Sequence, residues 1–247
     1  VGPDQAVTTS LGLEPAELGR VDAITPWRDG AYDVAVDLRV DTRYQHRAQH
    51  YAATARTVAR LCAVADRSVA VFFPSYRYAE AINEALSHSE PGIRVALQPR
   101  LRELAAQAPW VEQSIALSDV LFLVLGSSFA EGIDLLGGRI SHAMVVGPAL
   151  PEVNARQRAW LAELEHSPET RKQAFDLVYR VPGLQKVNQG LGRLVRAPGH
   201  KTRVLLHCQR FLDPAYARLL APDYQFGAHI PDDAALTAWL ESASDAT

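Results

Sequence analysis

Residues 188–196 carry the side chains whose types and spacing are best suited to chemistry. Their order is Asn-Gln-Gly-Leu-Gly-Arg-Leu-Val-Arg. Residues three and four apart share one face of a helix, so Gln189, Arg193 and Arg196 are predicted to project together on neighbouring turns. Two guanidinium groups and an amide on one face can bind a phosphate while its charge changes. A helix face that is merely exposed to solvent is the alternative, and this stretch alone does not decide between them.

A loop of small and polar residues earlier in the chain follows a predicted buried strand. The apolar run Val120–Leu125 leads directly into Gly126–Asp134, and open α/β sheets bind ligands at the carboxyl ends of parallel strands. The glycines let the backbone approach a phosphate or a ribose, the serines offer donors, and the acidic residues could hold ribose hydroxyls or orient arginines. The candidates are Gly126, Ser127, Ser128, Glu131, Gly132 and Asp134. An ordinary tight loop is the alternative.

A third candidate segment ends another predicted buried strand. Ser68–Phe73 is a β-branched and aromatic run, and Pro74 forces the chain out of the sheet after it. Ser75 and Tyr76 are therefore predicted at the edge of the sheet. There Tyr76 could stack on a base and Ser75 could bind a phosphate. Alternatively, Tyr76 only covers the edge of the core.

The elements that must position these segments alternate between strand and helix. Strands are predicted at Tyr32–Val40, Ser68–Phe73, Ile93–Leu97, Val120–Leu125, His142–Val146 and Arg203–Cys208. Helices are predicted at Arg47–Ala65, Tyr78–Ser87, Arg100–Leu117 with an interruption near Pro109, Ala155–Glu165, and Glu169–Val195 with a break at Pro182-Gly183. This alternation predicts one α/β domain over residues 1–247, with a mostly parallel sheet covered by helices on both faces. The tail 241–247 is predicted to be frayed.

The composition restricts the class of protein. The chain has 247 residues, a net charge of −3 and 48% hydrophobic residues, which excludes a generally basic nucleic-acid binder but not a local basic groove. Its two cysteines, Cys62 and Cys208, cannot hold a structural zinc or an iron–sulfur cluster unaided, and they favour a reduced, cytoplasmic protein. No apolar run is long enough to cross a membrane. The start at Val1 and the single methionine, Met144, indicate a domain cut from a longer protein.

Taken in chain order, the three segments resemble motifs of the second motor domain of superfamily-two helicases of the XPD/DinG type. Phe72–Tyr76 is similar to motif IV, Gly126–Asp134 to motif V, and Gln189–Arg196 to motif VI. RNA helicases of the DEAD-box type usually have a histidine first in motif VI and a glycine before its last arginine. Gln189 and Val195 stand at these positions here, which is similar to the DNA-translocating XPD/DinG branch. The resemblance covers nearly the whole chain.

This resemblance implies a RecA-like fold of the P-loop-NTPase type and the C-terminal motor half of an ATP-dependent DNA helicase that moves 5′ to 3′. ATP and Mg²⁺ would lie between this domain and an N-terminal RecA-like half, which supplies the phosphate loop, the magnesium ligands and, in many members, an iron–sulfur cluster. Arg196 would be the arginine finger, Arg193 would share the γ-phosphate, and Gln189 would hold the geometry. The implied nucleotide contacts are Gly126, Glu131, Gly132, Asp134 and Gly192, and the implied contacts with single-stranded DNA are Ser75, Tyr76, Ser127 and Ser128.

Several features depart from the family pattern or leave alternatives open. The family usually has Asp-x-Gly after motif VI where this chain has His200-Lys201-Thr202, and Cys208 stands where an aspartate commonly precedes x-Arg-Phe. Neither a Walker A phosphate loop nor a Walker B acidic motif occurs in the sequence, so the chain alone is expected to be inactive. His46 and His50 have metal-ligand spacing, with two surface histidines as the alternative. A non-motor DNA-binding or regulatory protein, an unrelated nucleotide- or sugar-binding enzyme, and a motor acting on RNA also remain open.

Overall fold

One seven-stranded parallel sheet organises the molecule. The computed structural model describes residues 25–100, 104–127, 134–165, 168–225 and 227–242. The strands are β1 (Tyr32–Asp37), β2 (Ser68–Phe73), β3 (Val95–Leu97), β4 (Val120–Val124), β5 (Ile140–Val145), β6 (Thr202–Leu206) and β7 (Ala228–Ile230). Their order across the sheet is β3-β4-β2-β5-β6-β1-β7, and every pair is parallel. The predicted α/β fold is confirmed, and the short edge strand β7 is an addition to the predicted series.

Helices cover both faces of this sheet. The α-helices are α1 (Tyr51–Val64), α2 (Tyr76–Ser89), α3 (Gln107–Leu117), α4 (Ala155–Leu164), α5 (Pro168–Phe175), α6 (Val181–Leu191), α7 (Pro214–Ala217), α8 (Pro222–Gln225) and α9 (Asp233–Glu241). Helices α1, α2 and α9 bury their apolar residues on one face of the sheet, and α3, α6, α7 and α8 bury theirs on the other. In β2, Val69, Val71 and Phe73 enter the first core while Ala70 and Phe72 enter the second. This alternation is why the strand reads as one continuous apolar run.

Two prolines that were expected to interrupt helices lie inside first turns instead. Pro109 is the third residue of α3, and Pro182 is the second residue of α6. The first turn of a helix has no partner for its backbone N–H groups, so a proline there loses no hydrogen bond. The π-helical turn Asp176–Arg180 joins α5 to α6 directly before Pro182. The predicted break at Pro182-Gly183 is therefore wrong, and Gly183 is instead the point where α6 packs closely against Leu150.

A buried polar network fixes the carboxyl ends of β1 and β6. Asp37 and His207 are fully buried, and Oδ2 of Asp37 lies 2.6 Å from Nδ1 of His207 and 2.7 Å from Nη2 of Arg39. Burial by itself would raise the pKa of Asp37, but the hydrogen bonds from His207 and Arg39 outweigh it and hold that pKa below its usual value. Nε2 of His207 lies 3.0 Å from the hydroxyl of Thr54 on α1. The network thus holds α1 against the edge from which residues 38–50 leave the sheet.

Candidate functional site

The described ends of the connection between β4 and β5 both contact the stretch 186–200. The connection 125–139 must cross from the carboxyl end of β4 to the amino end of β5, because the two strands are parallel. Residues 186–200 run the same way, from the middle of α6 to the start of β6. At the carboxyl edge the side chain of Lys186 lies against Gly126, and at the amino edge the backbone N–H of Gly138 donates to the carbonyl of Leu194 at 3.0 Å. Each motif therefore contacts a residue that flanks the other, through Gly126 at the carboxyl edge and through Leu194 at the amino edge.

The glutamine and the two arginines of residues 189–196 do not lie on one helix. Helix α6 ends at Leu191 with Gly192 as its C-cap, and Arg193 and Arg196 follow in a turn. Gln189 is exposed on the last helical turn, Arg193 is half-buried and Arg196 is exposed. The prediction of three side chains on one helix face is thus wrong for the arginines. They leave the helix at the amino edge of the sheet, where residues 137–139 lie.

Contacts from distant parts of the chain decide where α6 ends. The hydroxyl of Tyr32 donates to the carbonyl of Leu191 at 3.1 Å. The side chain of Asn188 donates to the carbonyl of Leu219 at 2.9 Å and accepts from the backbone N–H of Ala221 at 2.9 Å. The bond from Tyr32 satisfies a carbonyl that a continuing helix would use internally. Together these bonds hold the last turn of α6 against β1 and the segment before α8.

The turn that follows α6 is held against the start of β5 by two close contacts. A Cβ on Gly137 would lie 3.0 Å from Cγ of Arg196, and a Cβ on Gly138 would lie 2.7 Å from the ring of His200. The backbone N–H of Arg196 donates to Nδ1 of His200 at 3.3 Å. In the sequence, His200 stands out only as a departure from the family pattern. The structure places it in direct contact with the main chain of the second arginine.

At the opposite, carboxyl edge, Gln98 ties together the ends of three strands. Its side chain is buried, and its Oε1 accepts from the backbone N–H of Val124 at 2.8 Å and from the hydroxyl of Ser127 at 3.3 Å. Its Nε2 donates to the hydroxyl of Tyr76 at 2.6 Å. Ser75 caps α2 by accepting from the backbone N–H of Tyr78. One edge of the sheet thus holds three predicted residues, Ser75, Tyr76 and Ser127. Gln98 was not predicted as a site residue, although it is the first polar residue after β3.

A second aromatic residue lies on the same edge beyond the end of β1. The ring of Tyr44 is 72% exposed, and the guanidinium of Arg47 lies 4.7 Å from its centroid. The same guanidinium lies 4.9 Å from the ring of buried Tyr78. Tyr76 has a similar arrangement, with Arg100 4.9 Å from its ring. Tyr44 was not among the predicted site residues, and its only signal in the sequence is its place shortly after a strand at the edge that carries Tyr76.

Some predicted site residues lie outside the described residues. These are Ser128, Glu131 and Gly132, and of Asp134 only the backbone is described, as the start of the 3-10 turn Asp134–Leu136. Gly126 is described and has a φ of +73°, a conformation that favours glycine. His50 occupies the N-cap position of α1, without a capping hydrogen bond from its side chain. Within the described ranges no group of three metal-ligating side chains occurs, and no helix there is long and apolar enough to cross a bilayer.

Comparison with known proteins decides the family. The sequence model described as "Helicase C-terminal domain" matches residues 58–225, which include all three motifs. The chain belongs to the helicase C-terminal domain family. Over 169 residues this helicase domain is 24% identical to a Bacillus subtilis (strain 168) protein named 3'-5' exonuclease DinG, a match that covers 67% of this chain and 18% of that protein.

Solved structures show that this helicase domain has the RecA-like fold of the XPD type. A structure described as an apo form of XPD superposes with a TM-score of 0.71 at 18% identity, covering 94% of this chain and 47% of that one. A second XPD helicase structure gives a TM-score of 0.68 at 19% identity, covering 88% and 39%. The C-terminal domain of the DEAD-box protein Dbp5 gives 0.53 at 13% identity, covering 87% and 99%. The resemblance to the XPD/DinG type is confirmed, and the chain spans less than half the length of these DinG and XPD relatives.

Proposed function

We propose that this domain is the C-terminal motor half of an ATP-dependent DNA helicase, which couples ATP hydrolysis to movement on single-stranded DNA and to unwinding of duplex DNA. The observation that carries the proposal is a pair of contacts between the connection from β4 to β5 and residues 186–200, one at Gly126 and one at Gly138. The contact at Gly138 lies at the end that carries the arginines, and the contact at Gly126 lies at the edge that carries Tyr76 and Ser127. A shift at the nucleotide end is therefore passed directly to the nucleic-acid end.

At the amino edge, Arg193 and Arg196 are proposed to bind the γ-phosphate of ATP, with Arg196 as the arginine finger and Gln189 holding the geometry. Guanidinium groups fit phosphate oxygens and not a cation. The magnesium ligands, the phosphate loop and any iron–sulfur cluster would therefore belong to an N-terminal RecA-like half. An arginine finger contributes roughly 10³–10⁵ in rate in other phosphoryl-transfer enzymes. Glu131, Gly132, Asp134 and Gly192 are proposed to line the nucleotide side. Gly126, which was expected to contact the nucleotide, lies at the opposite, carboxyl edge beside Lys186.

At the carboxyl edge, Ser75, Tyr76, Ser127 and Ser128 are proposed to contact single-stranded DNA. Tyr76 and Tyr44 each carry a guanidinium beside the ring, which suits stacking of bases next to bound phosphates. The ammonium group of Lys186 lies beside the backbone of Gly126, 3.0 Å from the position that a Cβ would take, and it adds a positive charge at this edge. Movement from 5′ to 3′ is proposed from the resemblance alone.

The test is ATP hydrolysis by the full-length protein with and without single-stranded DNA, compared with its Arg196→Ala variant. We expect DNA-stimulated turnover whose kcat falls roughly 10³-fold or more in the variant, because the charge that stabilises the transferring phosphoryl group is lost. ATP binding should persist. Arg156→Ala is the matched control, since Arg156 is exposed on α4 and belongs to neither stretch, and its kcat should stay within about twofold of wild type.

A non-motor DNA-binding or regulatory protein with a degenerate helicase fold is the second candidate. It is favoured by His200 and Cys208, which replace residues usual in the family. In that case the full-length protein binds single-stranded DNA but releases no phosphate from ATP. If the wild type is active and the kcat of Arg196→Ala stays within a few-fold of it, the motor assignment stands, but Arg196 is not the arginine finger.

A further inference from the structure

His200 occupies a space that only a glycine leaves open. Its ring lies on Gly138, where φ is +69° and a Cβ would lie 2.7 Å from Cδ2 and Nε2 of the ring. Gly138 is itself fixed, because its N–H donates to the carbonyl of Leu194 at 3.0 Å and its carbonyl accepts from Arg67 at 2.7 Å. The imidazole therefore rests on a backbone that is held from both sides.

Arg196 is held by the same turn. Its Cβ and Cγ lie 3.1 and 3.0 Å from the position that a Cβ on Gly137 would take, so its aliphatic stem packs on that glycine. Its backbone N–H donates to Nδ1 of His200 at 3.3 Å. The arginine is thus fixed at its main chain by His200 and at its stem by Gly137. These two contacts set the point from which its guanidinium extends.

We propose that His200 is a positioning residue for Arg196, and that the lone pair on Nδ1 is the group that does the positioning. A tight turn brings the ring back to the arginine, since the N–H of His200 donates to the carbonyl of Ala197 at 3.2 Å and Gly199 has a φ of +83°. Only an imidazole with its hydrogen on Nε2 can accept at Nδ1.

This inference rests on the proposed function, and paired amide substitutions test it in the full-length protein. In His200→Asn, Oδ1 takes the place of Nδ1 and keeps the acceptor, whereas in His200→Gln the acceptor moves to the place of Nε2. We expect the kcat of DNA-stimulated ATP hydrolysis to fall about tenfold in the Gln variant and to stay within about twofold in the Asn variant, since one hydrogen bond orients the reacting arginine. The KM for ATP and the affinity for single-stranded DNA should stay within about twofold in both.

Two further measurements make the outcome decisive. His229→Gln is the control, since His229 is exposed on β7, and it should behave as wild type. Hydrogen–deuterium exchange of a peptide covering residues 192–201 should be faster in His200→Gln than in wild type or His200→Asn. Equal loss of kcat in both amide variants would show a general packing role and overturn the inference, as would no loss in either. If wild type shows no turnover, the proposed function fails, and exchange that is equal in all proteins then overturns the His200 contact as well.

Discussion

At the scale of single residues, Cys208, which differs from the family pattern, has an uncharged hydrogen-bond partner. The thiol of Cys208 is fully buried and accepts from the hydroxyl of Thr42 at 3.1 Å. The same hydroxyl accepts from Nη2 of Arg210 at 3.0 Å. A charged aspartate at 208 would need ionic partners in this buried place, whereas the thiol requires only the hydroxyl. Thr42 in turn packs on Gly147, where β5 ends.

Substitution of Gly147 by alanine should destabilise the domain strongly. Gly147 has a φ of +76°, and a Cβ there would lie 2.1 Å from Oγ1 of Thr42. We expect about 1–2 kcal/mol for the left-handed backbone and roughly 1–3 kcal/mol more for the steric overlap. Urea unfolding of the wild type and of Gly147→Ala measures the sum of these two losses.

Gly199→Ala is the matched control for this substitution. Gly199 has a similar φ of +83°, but nothing lies within 4 Å of the added Cβ. The free energy of unfolding of the Gly199→Ala variant should therefore fall only by the backbone contribution, about 1–2 kcal/mol. Equal losses at both positions would show that Thr42 moves aside without cost.

At the scale of elements, the strands follow their apolar runs closely, while the end of α6 does not follow its pattern. Strands β2 and β4 were predicted to within one residue, because a strand buried on both faces has a continuous apolar sequence. The helical pattern continues to Val195, yet α6 ends at Leu191. The bonds that end it come from Tyr32 and Gly138, which are distant in sequence. Periodicity within the helix carries no information about such partners.

The packing of β5 beside β6 should make stability depend on pH. Burial, with a smaller contribution from Arg203, lowers the pKa of His142 on β5 from 6.5 to about 4. Below pH 6.5 the unfolded chain therefore binds a proton that the folded state excludes, so stability is present above this value and is lost as the pH falls towards 4. Between pH 7 and pH 5 we expect the free energy of unfolding to drop by roughly 2 kcal/mol from this group.

Denaturant unfolding at pH 7 and pH 5 checks this expectation. His142→Gln should remove most of the drop, because glutamine does not titrate. His229→Gln, which changes an exposed histidine on β7, should keep it. A drop of the same size in His142→Gln would assign the pH dependence to other groups.

At the scale of the whole molecule, the domain presents arginines at one edge of its sheet and the tyrosines Tyr44 and Tyr76 at the other. Both sets face outward from a core that is packed on both sides of the sheet. The sequence contains no phosphate loop. As proposed, the domain therefore supplies one side of a nucleotide site and one part of a DNA path, and an N-terminal half supplies the rest.

The isolated chain should consequently release no phosphate from ATP above background, with or without single-stranded DNA. We expect it to bind single-stranded DNA weakly, with an affinity that falls as salt rises, because Arg47, Arg100 and Lys186 place positive charge beside the proposed contacts. Phosphate release and fluorescence anisotropy at several salt concentrations measure the two properties. Turnover by the isolated chain that disappears in Arg196→Ala would contradict the division of labour between two halves.

The sequence by itself determined the α/β class, the strands and the three motifs, because buried parallel strands and motif order are local or linear properties. Only the tertiary structure decided how these parts meet. Gln98 joins three strand ends, Tyr32 ends α6, and His200 contacts Arg196 across a turn packed on Gly138. Each of these contacts depends on the order of strands in the sheet or on a glycine that leaves room for a ring. Such juxtapositions arise from packing between distant segments, which a linear pattern does not specify.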